Sequence, residues 1–182
     1  MKPRFNEAKT AQLAGLILKM RGGTMHYMKL IKLMYLTDRA ALLIWGRPLT
    51  YDSYVSMPHG PVLSATLDLI NEQPDDDSPW GRLIARASDP YCVTLKTDFD
   101  SDELSDAEED LIHEIFERYG RLNRYVLRDK LHEVLPEWHD PQGSSLPIAY
   151  RDILRAGNKT EAEIAEIESE IESVAFVDAL AH

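Results

Sequence analysis

From His26 to Trp45 the chain runs twenty residues without a glycine or a proline, and Gly46, Arg47 and Pro48 then close the run. Glycine can take the left-handed conformation that ends a helix, and proline cannot extend one, so a helix is bounded there. Tyr27, Ile31, Met34, Tyr35, Leu42 and Trp45 recur at steps of three and four and share one face. Leu30, Leu33 and Leu36 widen that face almost all the way round, which marks a central, buried helix. Lys29, Lys32 and Arg39 leave one narrow basic stripe. Asp38 falls on the apolar face, where a carboxylate needs hydrogen bonds or a cation. Two readings follow for it: a tie between the helix and a neighbouring loop, or a catalytic carboxylate.

After the helix, Thr50 to Ser56 suits an extended strand, with Tyr51, Tyr54 and Val55 as strand formers. His59-Gly60-Pro61-Val62 follows. Gly60 can reach backbone angles closed to other residues, and the residue before a proline avoids the helical region. The tetrapeptide is therefore expected to make a sharp entry into a third helix, Val62 to Asn71, with Pro61 in its first turn. His59 is either a loop histidine beside that turn or a base or ligand.

Together these motifs carry a resemblance. Lys29-Leu30-x-Lys32-Leu33-Met34-Tyr35-x-x-Asp38-Arg39, then Gly46-Arg47-Pro48, Asp52-x-Tyr54 and His59-Gly60-Pro61-Val62, resemble the signature of the Panacea domain of SocA-like antitoxins from bacteria and phages. Ile115 to Gly120, Leu131-His132-Glu133 and Pro136-x-Trp138 resemble its second helical half, and Ile148 to Gly157 its closing helix, so the likeness spans about Ala8 to Gly157. The resemblance implies a protein that binds and neutralises a toxin encoded nearby. It also implies, for some members, an adaptor that delivers the toxin to an AAA+ protease. The shared residues would then be mainly scaffold.

The remaining chain fits an α+β domain, mostly α. Asn6 is suited to cap a first helix, Glu7 to Met20, which Gly22-Gly23 ends. Gln73 to Trp80 reads as a loop, and its three consecutive aspartates lack the alternation of a calcium loop. Leu83 to Ser88 and Tyr91 to Thr97 alternate as strands around Asp89-Pro90, and with Tyr51 to Ser56 they suggest one small antiparallel sheet. Cys92, the only cysteine, rules out an internal disulfide and is expected to be a small buried residue. Ser105-x-x-Glu108 and Thr160-x-x-Glu163 are capping boxes that open helices. Asn123 should cap another, and Pro147 should open a short one ending at Gly157. Residues 1–157 are expected to form the Panacea-like domain, and 158–182 an acidic helix packed on it or extending it.

Charge is divided unevenly. Residues 1–50 carry nine Lys or Arg and two acids, a balance of +7, while the rest carries −18 of the total −11. Such acidity argues against nonspecific nucleic-acid binding, which depends on neutralising phosphates. Ten acids and no Lys or Arg lie between Asp98 and Glu117, and Arg118, Arg121, Arg124 and Arg128 that follow are expected to pair with them. The acidic helix Ser105–Tyr119 and the terminal helix Thr160–Ala181 are the candidate toxin-docking surfaces, through Glu108, Glu109 and Glu114 on the first and Glu163 and Ile171 on the second, with Trp138 as a further anchor.

Other classes have weaker support. A winged-helix DNA-binding autoregulator would use the hairpin Leu83–Lys96 and place Lys29, Lys32, Arg39 and Arg47 on phosphates. A small-molecule binder or hydrolase would need Asp38, His59 and Tyr54 to converge. The chain has no Gly-rich phosphate loop, nucleophile elbow or His-Glu-x-x-His, so no enzyme activity and no cofactor are expected. His132, Glu133 and His139 match no zinc spacing. No segment has the length and apolarity of a signal peptide or membrane span, and a cytoplasmic protein is expected.

Overall fold

The computed structural model describes residues 1–181. The central helix forms as the glycine-free run requires: α2 spans Tyr27–Trp45, with His26 as N-cap and Gly46 left-handed at its end. Its Leu30, Ile31, Leu33, Met34, Tyr35 and Leu42 are wholly enclosed. Around it pack α1 (Glu7–Met20), α5 (Asp106–Ile115), α6 (Arg124–Val134) and α7 (Tyr150–Ala156). Asn6 caps α1 by accepting from Lys9 N. Both capping boxes are present, Ser105 with Glu108 at α5 and Thr160 with Glu163 at α8 (Glu161–Leu180). A π-helical turn, Phe116–Gly120, continues α5. The domain is thus α+β and mostly helical, and among the described residues no helix is long and apolar enough to cross a membrane.

The strands differ from the expectation of one sheet. β1 (Thr24–His26), β5 (Cys92–Leu95) and β4 (Ile84–Arg86) form one antiparallel sheet in that order; β3 (Gly60–Leu63), β2 (Tyr54–Met57) and β6 (Leu146–Ile148) form a second. The hairpin therefore never meets β2; β1, immediately before α2, takes that place, with Met25 opposite Val93. The second sheet takes up both prolines expected to open helices. Pro61 lies in β3 opposite Ser56, and Pro147 lies in β6 opposite Val55. Both are edge strands, where a missing N–H is tolerated. As a result α3 (Ser64–Glu72) begins only at Ser64 and α7 at Tyr150. A short helix, α4 (Pro79–Leu83), also replaces the end of the expected loop, with Ser78 as its N-cap. Cys92 is half-buried, not enclosed, with its thiol beside Asp89.

Candidate functional site

The residues that carry the motif are mostly consumed in tying the centre of the domain together. Asp38 is fully buried, and its two oxygens accept from Leu49 N (2.8 Å), Thr50 N (3.2 Å), the Tyr54 hydroxyl (2.9 Å) and the Thr50 hydroxyl. Burial outweighs those four hydrogen bonds and pushes its carboxyl up to about 6. The Tyr54 hydroxyl is driven well above its ordinary range by burial and by the Asp38 charge. Asp38 is thus the tie between α2 and the loop that leads to β2.

Asp52 repeats the device one step along the chain. The N-cap position of α3 is Leu63, which has no capping oxygen. Asp52 supplies it from a distance, accepting from Ala65 N (2.8 Å), Thr66 N (2.9 Å) and the Thr66 hydroxyl (2.8 Å). A third tie runs from α2 to the segment after α6. Glu137, 4 % exposed, accepts from the Tyr35 hydroxyl (2.9 Å) and from Arg39 Nε (2.6 Å). Burial, then Glu137, raises the Tyr35 hydroxyl. Trp138 beside it donates from Nε1 to Met57 O (3.0 Å) and stacks on His132 at 3.9 Å. Leu33 and Val62 are core, and Pro61 is buried in β3.

The basic residues of the motif behave differently. Lys29 is 8 % and Lys32 2 % exposed. Lys32 Nζ finds no hydrogen-bonding partner among the described residues, and neither does His132 Nε2 nearby. Burial, with Arg128 second, lowers Lys32 to about 8. Burial and then Lys32 likewise lower His132. Gly60 makes the room: its φ is +107°, and a Cβ there would lie 3.0 Å from Lys32 Nζ and 3.7 Å from His132 Nε2. His59 is exposed at the β2–β3 turn and bonds neither Asp38 nor Tyr54. Of the three residues that a hydrolase reading brings together, Asp38 and Tyr54 meet at 2.9 Å, while His59 stands apart and lines a cavity with Lys32 and Arg128.

The matched profile agrees with this ordered motif. Residues 30–139 match the family described as Antitoxin SocA-like, Panacea domain. The chain belongs to the SocA-like Panacea antitoxin family. No curated protein and no solved structure matches it. The Panacea stretch contains all three ties, Asp38, Asp52 and Glu137, together with the donors described for each.

Several expected contact residues of this Panacea protein are turned inward. Glu108 is 2 % exposed and bound by Lys9 Nζ at 3.0 Å through both oxygens, with Arg47 at 3.6 Å. Burial works to raise its carboxyl, but Ser105 N, Lys9 and Arg47 together hold it below its ordinary range. It pins α5 to α1, with its carboxylate enclosed. Ile171 is 6 % exposed and packs into the core, and Trp138 is held as described. Glu109 is half-buried against Ser101, whereas Glu114 and Glu163 remain exposed. Of the basic residues proposed as phosphate contacts, Lys29 and Lys32 are buried and Arg39 is bound to Glu137, while Arg47 stays exposed with Glu108 at 3.6 Å. Arg118 and Arg121 pair with Glu114 and Glu117 as expected, but Arg128 pairs with Asp129, and Arg124 lies over the Tyr125 ring at 4.7 Å. Among the described residues no group of three His, Cys, Asp or Glu is placed to hold a metal.

Nothing in the sequence marked Glu137 or Lys9 as partners, because each pairs across about a hundred positions. Asp52 was visible in the motif, but its capping role depends on β3 turning the chain back over it.

Proposed function

We propose that this chain neutralises a cognate protein toxin by binding it directly, and that the toxin docks on the C-terminal half of α8. The observation that carries this reading is an apolar stripe left uncovered on an acidic helix. Val174, Phe176, Val177 and Leu180 are 41, 58, 63 and 72 % exposed. Meanwhile Ile164, Ile171 and Ala175 seat the opposite side of the helix in the core. A patch of large apolar side chains rimmed by charge is the usual form of a protein contact surface. α8 carries seven acids and no Lys or Arg. Its partner should therefore present an apolar groove with basic edges, the surface expected of a toxin that acts on nucleic acids or nucleotides. α8 lies outside the stretch shared with the family, which suits a part that is specific to one partner. In this reading residues 1–157 are the shared domain and the terminal helix extends it.

Co-expression with each adjacent open reading frame tests the proposal, with growth and a tagged pull-down as readouts. Rescue with a stoichiometric complex is the expected result for a direct antitoxin. Rescue with loss of the toxin only when an AAA+ protease is present would identify the adaptor mode. The double variant Phe176→Glu/Val177→Glu should abolish rescue while circular dichroism stays unchanged. Undiminished rescue by that variant would remove α8 as the surface, and the absence of any toxic or binding neighbour would remove the antitoxin reading.

A further inference from the structure

A cavity of about 280 Å³ opens between the start of α2, the β2–β3 turn, Tyr91 and the first turns of α6. Lys32, Arg124 and Arg128 line it, with His26 and His59, and no acid does. That is an unusual balance in a chain of net charge −11. Of the carboxylates around the cavity, Asp129 accepts from Arg128 and Asp89 acts on His26. Neither bonds Lys32. An ammonium that is 2 % exposed and has no acceptor is a standing cost to the fold. Here the surroundings aggravate that cost, because the Arg128 guanidinium adds its repulsion to the burial. Gly60, by lacking a Cβ, leaves the space that the ammonium occupies.

The mouth of the cavity is aromatic. Tyr91 and Tyr125 line it and are 60 and 52 % exposed. The His26 ring lies parallel to Tyr91 within 3° at 6.0 Å, and parallel to Tyr27 within 15° at 5.4 Å, so the rings stand in a ready stack. Arg124 and Arg128 lie over Tyr125 at 4.7 and 5.5 Å. Cations at the floor with flat, exposed rings at the rim match a ligand that joins a phosphate to a planar base. The volume is near the lower end of small-molecule sites and too small for more than about one nucleotide. We infer that this cavity is a mononucleotide site, in which Lys32 and Arg128 hold the phosphate and Tyr91 and Tyr125 stack on the base.

The test is calorimetric titration of the full chain with adenosine, guanosine and cytidine 5′-monophosphates, ribose 5-phosphate and inorganic phosphate. At least one nucleotide should bind about tenfold or more tightly than ribose 5-phosphate, the contribution of a stacked base. Lys32→Met should abolish that binding and also raise the urea midpoint, since it removes a buried unpaired cation. Arg128→Gln and Tyr91→Ala should each weaken binding by about tenfold with the fold intact. Binding that survives Lys32→Met would overturn the inference. So would equal binding of nucleotide and phosphate with no effect of Tyr91→Ala, or no binding of any nucleotide at millimolar concentration.

Discussion

Replacing Asp38 by alanine is the sharpest probe of how the family motif works. In the folded chain the carboxylate takes protons from two backbone N–H groups, Leu49 and Thr50, and from the Thr50 and Tyr54 hydroxyls, all buried. Alanine leaves these donors without an acceptor. The two N–H groups cannot turn elsewhere, and at least one hydroxyl stays enclosed. At about 2 kcal/mol for each orphaned donor, three of them cost about 6 kcal/mol. One contribution runs the other way. Because burial raises the Asp38 carboxyl to about 6, the wild type bears a charging cost at pH 7 that alanine removes, about 3 kcal/mol for a rise of about two pH units. The net expectation is a loss of about 3 kcal/mol at pH 7. At pH 5 the folded carboxyl is largely protonated and the relief is about half as large, so the loss should grow by about 1 kcal/mol. Urea unfolding followed by far-UV circular dichroism at both pH values measures this, and the midpoint at pH 7 should fall by roughly 1.5 M. A loss below about 1 kcal/mol, or one that shrinks at pH 5, would refute the account of Asp38 as a structural tie.

Three further outcomes follow. Asp38→Asn keeps an acceptor for the N–H groups and cannot ionise; the folded Asp38 carboxyl titrates near 6 against an ordinary 3.8, so its stabilising contribution is complete below that ordinary value and lost as the pH rises through 6. Wild-type stability measured against this variant should therefore fall by about 3 kcal/mol between pH 3.5 and 7. Glu108→Lys should destabilise by about 3 kcal/mol or more because it leaves Lys9 facing a like charge, whereas Glu114→Lys, at an exposed pair, should change the unfolding midpoint by less than about 0.5 kcal/mol equivalent. Gly60→Ala should cost about 2 kcal/mol in the same assay, from a φ of +107° and a Cβ placed 3.0 Å from Lys32 Nζ, and adding Lys32→Met should recover part of that loss by removing the crowded ammonium.

Local signals in the chain located the helices well because each carries its own start and stop. Asn6, Ser105, Asn123 and Thr160 accept from the backbone within three positions, so the cap and the helix it opens are one contiguous stretch. Gly46 ends α2 by the left-handed turn that only its own backbone dictates. Strands have no such self-contained signal. β1 and β6 are three residues long, and each is defined by a partner far away in sequence: Thr94 for Thr24, Tyr54 for Ile148. Pro61 and Pro147 read equally well as helix openers or edge-strand residues until the neighbouring strand is known. Charge was the least legible feature. The acidic run around Glu108 looks like a solvated face, yet one of its carboxylates is the buried partner of Lys9, ninety-nine positions away. The basic stripe of α2 looks like a surface for phosphates, yet its members divide among an ion pair with Glu137 and two buried ammonium groups.

That division bears on how a Panacea antitoxin recognises anything. Asp38, Asp52, Tyr35 and Arg39 spend most of their polar atoms on tying loops to the central helix, which leaves them little to offer a partner. Recognition must fall to groups the ties do not use. In this chain two such sets are proposed: the exposed apolar stripe of α8, outside the shared stretch, and the cavity over Lys32, inside it. A stripe at the end of an appended helix can change without disturbing the core, because its opposite side alone holds the helix in place. The cavity has no such freedom. Its floor is a residue of the central helix, its clearance is set by Gly60, and one wall rides on α6, so altering it would move the same elements that the three ties hold fixed. A surface free to vary suits a partner that differs from one antitoxin to the next, whereas a cavity locked into the scaffold suits a small ligand of constant chemistry.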